Sequence, residues 1–433
     1  MMYLNQPILD PQIQYIVEFE GRLDEKRLRR AVRLAMDAEP VFGCRYVPGR
    51  RPRWERRDDL DRLPLCEVVE SADAESGLTD FMALPCDAAV DPLVRIFIAR
   101  GANDTMCFKF SHVACDGAGG KELMALVASL YRKLEGDPGY QVTPNLGSRS
   151  RMQLFREYGW RQCLRAFRSR GGRPRQSLWR FPTVNPEDRS AARLAIRRLN
   201  PGQFRALRSY AAQYNATATD VFLAAYFRAL CRLSNVPAGS PQTIFLPMNV
   251  RDYLATGKTE AICNFTAPLQ LTLESIPDET FETTLRRVAG QTLDSAQRRE
   301  RAIAGALGIS IAYRIASPKI EKGIEIARRN GVQTGLTMAF LTNNGTLEPK
   351  QMDFGLPVID AYTNPPMAFA PGLFLAVQSF RRALSFTIRY GSRAVNGEDV
   401  ERFLDAFLGE FPAISDRGNL ESNEPGMISP AAH

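Results

Sequence analysis

A rhythm of apolar spacing that occurs twice constrains this chain most. Gln14–Glu20 alternates as a strand and stops at Gly21. Asp24 then caps a helix whose apolar positions Leu28, Ala31, Val32 and Met36 recur at helical spacing to about Ala38. Val41–Val47 returns to strand spacing. Leu93–Ala99 and Thr105–Phe110 are apolar strands joined by a Gly-Ala-Asn-Asp turn, a hairpin signal, and a helix follows from about Gly119 to Leu134. The second half opens with a strand, Leu194–Leu199. Pro201 starts a helix at its favoured first position, and Thr217 caps an apolar helix running to Leu233. Thr243–Val250, Phe265–Leu273, Leu336–Thr342, Pro357–Ala361 and a pair within Leu373–Arg389 read as strands, the pair turning at Phe380–Leu384. Phe281 to about Tyr313 and Glu398–Phe411 read as helices. The pattern predicts an α+β protein of two similar α/β sandwich lobes, residues 1–145 and 191–414. They are joined by 146–190 and followed by a polar tail, 415–433, expected to be disordered.

Charge separates the joining segment from the rest. The chain carries +8, yet Arg149–Arg180 holds ten Arg, no Lys and one acid, Glu157, so the remaining residues carry a net −1. That distribution argues against a surface built to wrap nucleic acid. Three readings of the segment stay open: a solvated inter-lobe linker, a docking surface for an acidic carrier protein or coenzyme A phosphates, and a basic amphipathic helix on an anionic membrane. For the last, Phe155, Tyr158, Trp160, Cys163, Leu164 and Phe167 lie near helical spacing with Arg156, Arg161, Arg165 and Arg168 between them. No apolar run is long enough to span a bilayer, and Met1–Ile13 lacks a basic start followed by an apolar block. The expected location is cytoplasmic, with peripheral membrane contact as an option. The eight cysteines include no closely spaced pair, which argues against a disulfide scaffold or a zinc site; no metal is expected.

There are two histidines, and one is the terminal His433. The other, His112, follows a strand and precedes a helix in Ser111-His112-Val113-Ala114-Cys115-Asp116-Gly117. A strand end is rigid and the loop after it is open, which suits a catalytic group, and imidazole is the side chain best matched to base catalysis near neutral pH. Taken alone, a lone histidine of this kind is more often structural.

The His-x-x-x-Asp-Gly spacing resembles the active-site motif of the chloramphenicol acetyltransferase-like superfamily, which includes condensation domains, alcohol O-acetyltransferases and wax-ester synthases. Further residues are similar: Val17–Asp24 with Glu39-Pro40-Val41-Phe42, Pro247-Met248-Asn249-Val250-Arg251 followed by Asn264-Phe265, Leu341–Gly345, and Asp353-Phe354-Gly355. The resemblance implies two lobes with an active-site tunnel between them. It implies that His112 is a general base and that Asp116 pairs with Arg251 to lock the His112 loop. Gly117 would allow a tight turn into the helix. Ser111 stands where some branches carry a first histidine, and supports the loop. Asn264, Asn343 and Asp353 are candidates for oxyanion or substrate binding. The implied activity is that of a stand-alone, monomeric acyltransferase with no permanently bound cofactor. It would take an acyl thioester of coenzyme A or of a carrier protein's phosphopantetheine to a hydroxyl or amine acceptor. The alternative is a non-catalytic protein of the same build that docks a carrier protein or membrane through the Arg-rich segment. Gly257-Lys258-Thr259 lacks the spacing of a phosphate-binding loop, and no Gly-x-Ser-x-Gly elbow exists.

Overall fold

The computed structural model describes residues 2–49, 52–70, 73–168, 177–292 and 295–412; the tail 415–433, expected to be disordered, lies outside them. In chain order, strand β1 (Gln12–Phe19) leads through the Asp24 cap into α1 (Glu25–Ala38). The Asp24 carboxylate accepts from the Arg27 amide at 2.8 Å, satisfying a donor the helix itself cannot. Then come β2 (Cys66–Val69), α2 (Ala74–Ala83), β3 (Val94–Arg100), β4 (Asp104–Ser111), α3 (Gly117–Gly136) and α4 (Met152–Arg168). The second half comprises β5 (Ala192–Leu199), α5 (Pro201–Gln213), α6 (Ala218–Leu233), β6 (Pro241–Asn249), β7 (Thr266–Glu274), α7 (Phe281–Thr292), α8 (Ser295–Thr334), β8 (Ala339–Thr346), β9 (Val358–Asn364), β10 (Leu373–Phe380), β11 (Ala383–Gly391) and α9 (Gly397–Gly409). Helix is found on both sides of residues 293–294, and it runs past the expected end at Tyr313 to Thr334.

Two sheets organise the lobes. The first has the order β9-β1-β4-β3-β2, the second β7-β6-β8-β10-β11-β5. Helices α1 and α3 cover the first, burying Leu28, Val32, Met36, Leu123, Val127 and Leu130 against Tyr15, Val17 and Phe108. Helices α6 and α9 cover the second through Phe222, Tyr226, Phe403 and Phe407. A fully buried side chain of this size contributes roughly 1.5–3 kcal/mol.

The lobes exchange chain, which the expected boundary at 191 did not anticipate. Strand β9 belongs to the second half but pairs antiparallel with β1 at the edge of the first sheet, Val358 opposite Phe19 and Asn364 opposite Gln14. Without β9, one edge of β1 would leave buried N–H and C=O groups unpaired. Asn364 also donates to the Gln14 side chain at 2.7 Å.

The solvated-linker reading of Arg149–Arg180 does not fit its described residues. Helix α4 breaks at Gly159, whose φ is 68°, and buries Leu154 and Cys163 with Val250, Phe265 and the α8 residues Ala302, Ile303, Ala306 and Leu307. Further along, Trp179 is fully buried in the second core. The apolar members of the segment tie it to the second lobe, because burying them there removes their apolar surface from water.

Candidate active site

Strand β4 ends at buried Ser111, and the chain turns sharply there. The Ala114 and Cys115 amides donate to the Ser111 carbonyl at 3.0 and 3.3 Å, and the Val113 amide approaches the Ser111 hydroxyl at 3.4 Å. The His112 amide donates to the Pro11 carbonyl at 2.7 Å. These bonds fix the loop that carries the imidazole. His112 Nδ1 lies 2.9 Å from the Cys115 carbonyl. A carbonyl oxygen only accepts, so Nδ1 carries the proton and Nε2 is left as the basic nitrogen. Burial lowers the His112 pKa; the Cys115 carbonyl and the Asp116 charge oppose that without cancelling it. The ring is therefore neutral at neutral pH.

Asp116 caps α3. Its Oδ1 accepts from the Gly119 amide at 2.8 Å, and its Oδ2 accepts from Arg251 Nη1 at 2.8 Å and from the Phe265 amide at 2.6 Å. Burial alone would raise the Asp116 pKa, but Arg251 and the two amides outweigh it and hold the carboxyl below the usual aspartate range. Arg251 also donates to the Cys263 carbonyl at 2.7 Å and to Asn249 at 3.1 Å. Both side chains are almost wholly buried, 2% and 1% exposed. Both Asp116 oxygens are thus engaged by donors that hold the loop in place.

Asn264 lies against the histidine from the second half of the chain. Its Nδ2 donates to the His112 carbonyl at 3.2 Å and sits 3.3 Å from Nδ1. Arg151 and Thr266 donate to its Oδ1 at 3.0 and 2.9 Å, which orients the amide nitrogen toward His112.

No protein-family model matches the chain. In sequence it is 26% identical over 306 residues to an uncharacterized protein of Mycobacterium tuberculosis, Rv2305, across 65% of this chain and 67% of that one. In structure it resembles polyketide synthase associated protein 5 from Mycobacterium tuberculosis, with a TM-score of 0.61, 16% identity, and 94% and 95% of the two chains covered. It also resembles the first condensation domain of the calcium-dependent antibiotic synthetase, with a TM-score of 0.65, 18% identity, and 95% and 93% covered. A trichothecene 15-O-acetyltransferase from Fusarium sporotrichioides matches at a TM-score of 0.65, 13% identity, and 94% and 91% covered. This is the chloramphenicol acetyltransferase-like fold.

Within the chloramphenicol acetyltransferase-like fold, the other expected site residues are placed as follows. Gly117 opens α3, and its carbonyl accepts from the Tyr15 hydroxyl at 2.5 Å. Its φ is not positive, so the turn itself does not demand glycine; a Cβ would instead stand 3.4 Å from the Asn344 side chain. The stricter requirements fall on its neighbours. A Cβ on Gly119 would lie 2.9 Å from both the Cys115 Cβ and the Cys263 carbonyl, and one on Gly120 would stand 2.0 Å from Phe110 Cζ. Asn343 does not join the His112 loop. It is exposed, donates to Thr219 at 2.9 Å and accepts from the Gly345 amide at 2.9 Å. The strand period turns it to the opposite face from Asn344, which approaches Gly117. Asp353 is likewise exposed, accepting from the Gly355 amide at 3.1 Å to close its own turn. The next residue, Phe354, packs edge-on to Phe19 and Tyr131 in the first core, so the Asp-Phe-Gly stretch serves packing there.

Several site residues carry no motif signal. Arg149 reaches the His112 loop, donating to the Ala114 carbonyl at 2.5 Å and also to the Ile262 carbonyl. Lys121 Nζ donates to the Asn344 and Thr346 carbonyls, at 2.5 Å and 2.7 Å respectively. Burial lowers the Lys121 pKa to about 8. Arg149 and Arg151 were visible in the sequence as members of the basic segment, but only the tertiary fold turns them toward the loop. Among the described residues, no group of His, Cys, Asp or Glu is arranged to hold a metal ion. No helix among them is long and apolar enough to cross a membrane.

Proposed function

We propose that the protein is an acyltransferase that moves an acyl group from a thioester to a hydroxyl or amine acceptor, with His112 as general base. The observation that carries this reading is the tautomer: Nδ1–H is held by the Cys115 carbonyl at 2.9 Å in a neutral ring, in a fold shared with condensation domains and an acetyltransferase. His112 Nε2 removes the acceptor's proton as its oxygen or nitrogen attacks the thioester carbonyl. The tetrahedral intermediate then collapses, the C–S bond breaks, and the thiolate takes the proton back from Nε2. The Cys115 carbonyl stabilises the imidazolium between these steps. A positioned base contributes roughly 10²–10⁴-fold. Bringing both substrates together between the lobes supplies much of the rest, so no nucleophilic Ser or Cys is needed. Asn264, already aimed at His112, is the candidate donor to the developing oxyanion. Asp116 and Arg251 position the loop. The donor is a thioester of coenzyme A or of carrier-protein phosphopantetheine. The test is thiol release from acyl thioesters offered with mixed alcohols and amines; an absence of His112-dependent release across that panel would overturn the reading.

A second reading rests on the α4 surface. Trp160 is 60% and Leu164 42% exposed, one helical turn apart, and exposed Arg161 and Arg165 form the adjacent stripe. An apolar stripe beside a basic one suits docking to an anionic membrane or an acidic carrier protein, with or without catalysis.

A further inference from the structure

The tip of the β10–β11 hairpin is built from residues that its backbone disfavours. Phe380 pairs with Ala383, leaving Arg381 and Arg382 as a two-residue turn with φ of 46° and 68°. Turns with positive φ at both central positions favour Asn and Gly, because a Cβ crowds the backbone there. Arginine at both positions is a local strain that the fold tolerates, and strain of this kind points to a use for the side chain.

Arg382 lines an open cleft of about 460 Å³ with Arg205, Arg208, Phe204 and Ser209 of α5. No acidic residue lines it. Several other arginines of this lobe are ion-paired: Arg197 with Glu401 and Asp405, Arg198 with Asp360, and Arg228 and Arg232 both with Glu410. Arg205, Arg208 and Arg382 enter no ion pair among the described residues. The Arg208 guanidinium lies 5.9 Å from the Phe204 ring centroid, so the cleft has an apolar ring beside its charges. Three unpaired guanidinium groups around one concavity favour a multiply charged oxyanion, and an aromatic ring with a neighbouring hydroxyl favours a planar group attached to it.

We propose that this cleft binds a nucleoside phosphate. The strand that leads into the Arg382 turn is tied to the first lobe through β8. Lys121 of α3 holds the Asn344 and Thr346 carbonyls, Thr346 pairs with Ser379, and Arg382 follows three residues later. The nucleoside phosphate has two sources, a free nucleotide or the nucleotide end of a coenzyme A thioester. Only the second rests on the acyl-transfer reading.

The experiment titrates the full-length protein with adenosine 3′,5′-bisphosphate at physiological salt, with adenosine, inorganic phosphate and pantetheine as comparisons. The expected result is saturable binding of the bisphosphate, weakened at least tenfold in Arg205→Gln/Arg208→Gln and in Arg382→Gly. Glycine relieves the strained turn, so Arg382→Gly is expected to melt at or above the wild-type temperature, and its loss of binding cannot come from misfolding. If the nucleotide belongs to the donor, wild-type KM is lower for acyl-coenzyme A than for acyl-pantetheine, and the Arg205→Gln/Arg208→Gln pair brings the two values together. If bisphosphate binding depends on these arginines while the two KM values are equal in wild type, the site serves a free nucleotide. No saturable binding, equal binding in the variants, or inorganic phosphate matching the bisphosphate overturns the proposal. The titration reads out whether or not thioesters turn over, so its failure is distinct from a failure of the His112 reading.

Discussion

Asp116 and Arg251 are separated by 135 residues and meet at 2.8 Å, joining the loop that carries His112 to the chain that leads into Asn264. Because the pair is buried, removing one partner strands the other. Asp116→Ala also orphans the Gly119 and Phe265 amides. The expected loss of stability is about 3–5 kcal/mol, read by urea unfolding. Normal unfolding with lost turnover would instead make Asp116 a direct participant in the chemistry. Its lowered pKa adds a pH signature. Asp116's contribution is fully present above the ordinary aspartate pKa of about 3.9 and is lost as pH falls through the lower folded-state value.

His112→Ala is expected to lower acyl transfer by about 10²-fold or more with the fold intact, measured by thiol release. Activity retained within a few fold would remove His112 from the general-base role. Because burial lowers its pKa, the acidic limb of kcat/KM against pH is expected below the ordinary histidine value of about 6.5. A limb at or above that value contradicts the neutral ring.

Lys121 fastens the end of β8 to α3 through two carbonyls. Lys121→Met leaves both acceptors without that donor and is expected to cost about 1–3 kcal/mol. The folded pKa of about 8 lies below the unfolded value of about 10.4, so the unfolded state binds more protons between them. The stability of the wild type relative to Lys121→Met should therefore rise with pH across that window. A difference that stays flat from pH 7 to 10 would show that Lys121 does not titrate there.

The α4 stripe is tested by co-sedimentation with anionic vesicles. Arg161→Gln/Arg165→Gln is expected to weaken binding by about 1 kcal/mol per arginine, and wild-type binding should fade with salt over a Debye length of about 8–10 Å. Trp160→Ser/Leu164→Ser is expected to weaken vesicle binding strongly and an electrostatic contact with an acidic carrier protein much less. If both pairs leave vesicle and carrier binding unchanged, the stripe has no docking role.

What could be read without the fold was what acts locally. Asp24 and Thr217 mark helix starts because a cap bonds an amide within three residues, and the Asp24–Arg27 and Thr217–Asp220 bonds are of that kind. The apolar period likewise announced the strands and helices that bury their own faces. His112 stood out because only one other histidine exists and it is terminal. Tertiary structure decided everything that depends on distant chain. It carried β9 into the other half's sheet, turned Arg149 and Arg151 from a basic run toward the His112 loop, and brought Asn344 rather than Asn343 to Gly117. It sent Asp353 away from the site because Phe354 packs into the first core. A strand's side chains point to opposite faces in turn, and which face meets the other lobe is settled only when the two sheets pack.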